Sequence, residues 1–117
     1  MKYLVVDDSK LARLSIIKSL KTCNDSAEVL QAENGLEALN ILKDEKPSVV
    51  FLDLTMPIMD GYEALEEIMK VAPQTKVIVV SADIQMQAKE KVINLGAQLH
   101  VQKPISAEKM QEILETI

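Results

Sequence analysis

Five short apolar runs punctuate the chain, and between them apolar residues recur at three- and four-residue intervals. The runs Tyr3–Val6, Glu28–Ala32, Ser48–Leu52, Lys76–Val80 and Gln98–Gln102 are rich in Val, Ile and Leu, and polar or turn residues bound them, so they read as strands. The intervening spacing predicts five helices. The first runs from Lys10 to about Lys21, with Leu11, Leu14, Ile17 and Leu20 on its inner face and Arg13 and Lys18 pointing away. The second runs to about Glu45 on Ala38, Leu39 and Leu42, and the third from Gly61 to Val71 on Leu65, Ile68 and Met69. The fourth extends to about Leu95 on Ile84, Ala88 and Val92, and the last carries Met110, Ile113, Leu114 and Ile117. Ser9, Asn34, Asp60, Asp83 and Ser106 stand where N-caps belong, and Glu37 completes a capping box with Asn34. Pro47 and Pro73 end two helices, and Gly96 suits the position after a third.

Strands alternating with helices predict an α/β fold: a doubly wound, five-stranded parallel sheet with helices on both faces and right-handed crossovers. The runs at 49–52 and 77–80 are apolar throughout, which places them centrally, buried on both sides. The run at 28–32 is short and polar, which suits an edge. The order 2-1-3-4-5 satisfies both conditions and puts a switch point between strands one and three.

Composition narrows the function. At 117 residues the chain is expected to be one domain, residues 1–117, with a proper core. Its formal net charge of −5 leaves no basic footprint for nucleic acid and disfavours anionic membranes. No apolar run approaches the roughly 20 residues that span a bilayer. Cys23 is the single cysteine, so an internal disulfide is excluded. A cytoplasmic monomer is the expectation.

The chemistry lies in the residues at the end of each run. Asp7-Asp8 come directly after the first, Asp53 after the third, Ser81 after the fourth and Lys103 after the fifth. Parallel strands bring all of these ends to one side of the sheet. Neighbouring strands lie about 4.8 Å apart, so Asp7, Asp8 and Asp53 converge. Three carboxylates that close call for a hard cation, Mg²⁺ or Mn²⁺ in its place. Asp8 would hold it most directly, Asp7 directly or through water, with Asp53 and the Thr55 backbone carbonyl completing the protein ligands. A carboxylate can attack a phosphoryl group to form an aspartyl-phosphate, and Lys103 and the Ser81 hydroxyl would then meet its oxygens. Taken singly these residues have ordinary uses: Asp60 and Gly61 serve as cap and turn, and a lone Asp or Ser after a strand is turn chemistry.

The blocks VVDDS at 5–9, DLTMPIMDG at 53–61, VVSAD at 79–83, GA at 96–97 and KPI at 103–105 resemble the receiver domain of two-component response regulators, most of all the stand-alone, chemotaxis-type (CheY-like) members. The resemblance covers the whole chain. It implies a flavodoxin-like sheet and Mg²⁺-dependent phosphorylation of Asp53 by a sensor histidine kinase. It also implies a cis Lys103-Pro104 bond, a phospho-acceptor role rather than that of a conventional enzyme, and control of a downstream protein such as a flagellar motor switch. It makes Ser81 one half of a conformational switch and places His100 where the family commonly has Tyr or Phe. Output is expected across residues 84–117.

Four alternatives stand beside this reading, one of them a pure interaction module that is never phosphorylated, against which the intact acid set argues. The receiver could be cut from a longer regulator. A Mg²⁺-dependent aspartyl-phosphate hydrolase of the haloacid-dehalogenase type wants an Asp where Thr55 stands. A flavodoxin-like cofactor binder wants a phosphate loop where Asp7-Asp8 stand.

Overall fold

Each apolar run becomes a strand and each periodic stretch a helix in a computed structural model that describes residues 1–82 and 85–117. The elements are β1 (Lys2–Val6), α1 (Lys10–Cys23), β2 (Glu28–Ala32), α2 (Gly35–Glu45), β3 (Val49–Leu52), α3 (Gly61–Val71), β4 (Lys76–Ser81), α4 (Met86–Asn94), β5 (Leu99–Gln102) and α5 (Ala107–Thr116). The strands form one parallel sheet in the order β2-β1-β3-β4-β5, as the apolar content of the runs predicts. Strand bounds differ from the expected ones by a residue at most, because runs fray where the ladder ends.

Alternation along the strands divides the core in two. Leu4, Val6, Val50, Leu52, Val77 and Val79 face one way, against α2, α3 and α4. Tyr3, Val5, Val49, Phe51, Ile78 and Val80 face the other, against α1 and α5. All these side chains are buried, so β1, β3 and β4 lie inside on both faces.

The expected caps form at four helices. Ser9, Asn34, Asp60 and Ser106 accept the N–H of Ala12, Glu37, Glu63 and Lys109. At the end of α4, Gly96 has φ 115°; its N–H donates to Ile93 O while that of Ala97 donates to Val92 O. This paired arrangement closes the helix and needs the left-handed backbone that glycine adopts freely.

Two helices depart from expectation. On α1 the inward residues are Arg13, Ile16, Ser19 and Leu20, whereas Leu11 is 81% exposed and Leu14 is also at the surface. Ile17 is half-buried and Lys18 is exposed as expected. The buried series 13, 16, 20 shares Leu20 with the expected series but is centred about 100° away around the helix. Hydropathy ranks leucine above arginine, but Arg13 meets hydrogen-bond acceptors inside and Ser19 Oγ donates to Ile105 O at 2.8 Å, which removes the penalty for burying them. For the fourth helix the sequence predicts a start at Ile84 behind an Asp83 cap. Those two residues lie outside the described ones, and α4 starts at Met86 with Gln85 at the cap position, φ −58° and ψ 151°, without a side-chain cap hydrogen bond. Ala88 and Val92 are buried there as expected.

Candidate functional site

The β1–β3 register pairs Val6 with Leu52, so the next residue of each strand, Asp7 and Asp53, stands level at the carboxyl edge. The backbone holds both there: Asp53 N–H donates to Val6 O at 3.0 Å, and Asp7 N–H donates across to Ala32 O at 3.1 Å. Asp8 comes next, on the loop into α1. One carboxylate oxygen from each of Asp7, Asp8 and Asp53 lies within 4.8 Å of the others, the one such cluster of potential metal ligands among the described residues. Asp7 and Asp53 are buried and Asp8 is exposed, so the cluster is a pocket with one acid at its mouth.

Lys103 arrives from the far edge of the sheet. Its N–H donates to Ser81 O at 2.9 Å, tying the β5 end to the β4 end, and the Lys103-Pro104 peptide is cis. Its ammonium sits between two carboxylates, 2.7 Å from Asp7 Oδ2 and 3.0 Å from Asp53 Oδ1. The lysine thus bridges both buried acids, not Asp53 alone.

Burial pushes the Asp53 carboxyl above its ordinary value. Lys103 pulls the other way, but the charges of Asp7 and Asp8 add to the burial effect, and the upward shift prevails. Burial works against the Lys103 charge, yet its bonds to Asp7 and Asp53 outweigh that and hold its pKa above the usual lysine value. Three carboxylates face one ammonium. The excess negative charge, the hard oxygen donors and the opening at Asp8 suit a divalent cation such as Mg²⁺.

The loop after Asp53 is shaped by its neighbours. A Cβ on Gly61 would collide with the Asp53 carbonyl oxygen and lie 2.5 Å from Leu54 Cα. Gly61 N–H donates to Leu54 O at 2.9 Å across this contact. Gly61 therefore allows close backbone approach, besides opening α3. Further along, Pro57 O accepts Met59 N–H at 2.7 Å with Ile58 between them at φ 70°, a strained γ-turn centred on a β-branched residue.

Of the other residues expected here, Ser81 is buried at the end of β4, on the same edge. Thr55 is exposed, two residues past Asp53. His100 lies apart: it sits opposite Val79 in the middle of the β4–β5 ladder and lines a separate surface hollow of about 360 Å³ with Lys89, Val101, Gln102 and Lys109. Helical spacing does not reveal one participant. Arg13 Nη1 donates to Asp7 O at 2.7 Å, beneath the acid cluster. The Gln31 and Glu33 that meet Arg13 stand at the end of the neighbouring strand, where the sheet order could have pointed to it.

Comparison with known proteins agrees with this geometry. The family of the response regulator receiver domain matches residues 3–115. Chemotaxis protein CheY of Listeria monocytogenes is 43% identical over 115 residues, covering 98% of this chain and 96% of the relative. Chemotaxis protein CheY of Bacillus subtilis is 35% identical over 113 residues, covering 97% and 93%. Among solved structures, a CheY-like receiver domain protein from Methanospirillum hungatei superposes with a TM-score of 0.88 at 26% identity, covering 97% of this chain and 90% of that one. The Vibrio cholerae chemotaxis protein CheY4 superposes with a TM-score of 0.85 at 25% identity, covering 97% and 95%.

Proposed function

The chain belongs to the response regulator receiver domain family, and from that premise we propose that Asp53 accepts a phosphoryl group from the phosphohistidine of a sensor histidine kinase. One observation carries the reading: a buried carboxylate with a raised pKa, 3.0 Å from a lysine ammonium, shares its pocket with two further acids.

In the forward step an Asp53 oxygen attacks phosphorus, the P–N bond breaks, and its electron pair returns to the kinase imidazole. Lys103 holds the carboxylate in place before transfer and then meets a phosphoryl oxygen. The Ser81 hydroxyl donates to another. Asp7, Asp8, Asp53 and the Thr55 carbonyl would hold Mg²⁺, or Mn²⁺, which supplies neutralisation of phosphoryl charge when bound. The acyl phosphate formed is a new anion beside Ser81, whose strand β4 pairs with β5, the strand that carries His100. Rearrangement there would alter the face formed by residues 84–117 and so its affinity for a target protein.

CheY is the printed name of the relatives at 43% and 35% identity, which supports a cytoplasmic role in chemotaxis, with a sensor histidine kinase upstream and a motor-switch protein downstream. No described helix is long and apolar enough to cross a membrane. The test is intact-protein mass after incubation with acetyl phosphate and Mg²⁺. Gain of one phosphoryl group, lost on chelation and absent from Asp53→Asn, is the expected result. Labelling that persists in Asp53→Asn overturns the assignment, and sustained turnover of a small phosphomonoester would make the protein a hydrolase instead.

A further inference from the structure

Arg13 is buried, 7% exposed, and it meets residues at the ends of two neighbouring strands, β1 and β2. Its Nε donates to Gln31 Oε1 at 2.9 Å, its Nη1 donates to Asp7 O at 2.7 Å, and its Nη2 lies 3.8 Å from Glu33 Oε1. The guanidinium is a rigid planar fork, so holding it from the β2 end through Nε and Nη2 aims Nη1 at one fixed point. That point is the carbonyl of the peptide joining Asp7 to Asp8.

This peptide has an unusual task. Successive residues of a strand point to opposite faces, yet Asp7 and Asp8 both direct a carboxylate oxygen into one cluster. The chain must therefore leave strand geometry between them, where the sheet ladder ends. Asp7 N–H is still held by Ala32 O, and Asp7 Oδ1 accepts Ser9 N–H at 2.9 Å in a side-chain-closed turn. The carbonyl of that same peptide has Arg13 as its donor. With the peptide held at both its flanking amide and its oxygen, the plane that sets the relative direction of the two acids is fixed.

We propose that Arg13 is a positioning residue for the acid pocket: anchored on Gln31 and Glu33, it locks the Asp7–Asp8 peptide so that both carboxylates present oxygens to the same cation. The proposal deepens the metal-binding reading above and rests on it. Arg13 touches neither the cation nor the phosphoryl group. It acts through Asp7, and its charge partly offsets the crowd of carboxylates.

Calorimetric titration with Mg²⁺ alone, on the unsubstituted protein and three variants, tests it. Arg13→Met is expected to weaken Mg²⁺ binding tenfold or more, on the order found when groups that orient metal ligands are removed. The Mg²⁺ concentration for half-maximal labelling by acetyl phosphate should rise equally, while the rate at saturating Mg²⁺ stays near that of the unsubstituted protein. Without metal, the Ser9 amide should exchange its hydrogen faster in Arg13→Met, because its acceptor Asp7 has lost its anchor. Gln31→Leu, a change at the surface, should shift affinity the same way by less, and it decides the matter if Arg13→Met does not fold. Leu20→Ala removes a fully buried side chain from the same helix and should lower the melting temperature with Mg²⁺ affinity unchanged. Unchanged affinity in folded Arg13→Met, or in Gln31→Leu should the former not fold, overturns the proposal. Equal loss of affinity in Leu20→Ala does so too, since it would reduce Arg13 to general support of α1. Failure of the unsubstituted protein to bind Mg²⁺ would instead sink the metal reading beneath it.

Discussion

The molecule carries two clusters of the same composition, one at each edge of its sheet: a lysine between two acids. At the amino edge Lys2 lies 3.3 Å from Glu28 and 3.0 Å from Glu45. At the carboxyl edge Lys103 lies 2.7 Å from Asp7 and 3.0 Å from Asp53. The distances hardly differ, but the solvent does. The Glu28 side chain is 62% exposed and that of Asp7 is 2% exposed. Water screens the first cluster, whereas in the second the loss of water raises Asp53 and makes the charges depend on one another. The comparison teaches that contact distance alone does not make a site. Withdrawal from water, together with one acid too many, turns an ion pair into a place where charge must be exchanged.

Matched substitutions give the largest contrast. Lys103→Met should slow labelling of Asp53 by acetyl phosphate on the order of 10²-fold at saturating Mg²⁺, the scale for removing a donor from developing charge. Lys2→Met should leave that rate unchanged. Comparable losses in both would erase the distinction between the two edges.

Backbone crowding differs as well. Gly61→Ala drives a Cβ into the Asp53 and Leu54 backbone and should cost about 2–3 kcal/mol in denaturant melts, with loss of labelling as Asp53 shifts. A stability change near zero would mean that this loop gives way easily.

The pH dependence separates the edges next. Because the folded pKa of Asp53 is raised, its contribution to stability is complete below the ordinary carboxylate pKa and is lost as pH rises through the raised value. In metal-free buffer, stability should therefore decline on that rise, and Asp53→Asn should remove this component and melt higher at neutral pH. Lys103 and Lys2 both have raised pKa values, so each contributes stability that is present below the usual lysine pKa and lost above it. The acid limb is thus the discriminating one.

At the amino edge the strain is small and remediable. Lys46, the C-cap of α2, has φ 49°, and Lys46→Gly should stabilise the protein by about 1 kcal/mol with labelling untouched. A loss of stability would show that the lysine side chain matters more than its backbone.

Much of this is legible from the chain alone. The sheet order comes from which runs can be buried on both faces, and parallel strands then place Asp7, Asp8, Asp53, Ser81 and Lys103 on one edge without further assumption. The turn of α1 is not legible, because its inner face is defined by polar groups whose partners lie beyond the helix. Hydropathy counts Arg13 as outward until the carbonyl of Asp7 and the amide of Gln31 are known to wait beneath it. Gly61 reads from the sequence as a turn residue, yet the backbone just after the preceding strand leaves no room for a Cβ there. The start of α4 carries no sequence signal stronger than an acid that could cap. For α1 and Gly61 the deciding contact joins residues outside the local window that periodicity reads.

The most direct measurement of the central claim is the melting temperature of the protein against Mg²⁺ concentration at neutral pH, beside Asp53→Asn. If excess buried carboxylate defines the pocket, the cation binds the folded state selectively, worth about 2.7 kcal/mol at 100 times its dissociation constant. The unsubstituted protein should then rise steadily, while Asp53→Asn should start higher without metal and gain less from it. A melting temperature indifferent to Mg²⁺, or an Asp53→Asn variant that starts lower and gains as much, would contradict the account.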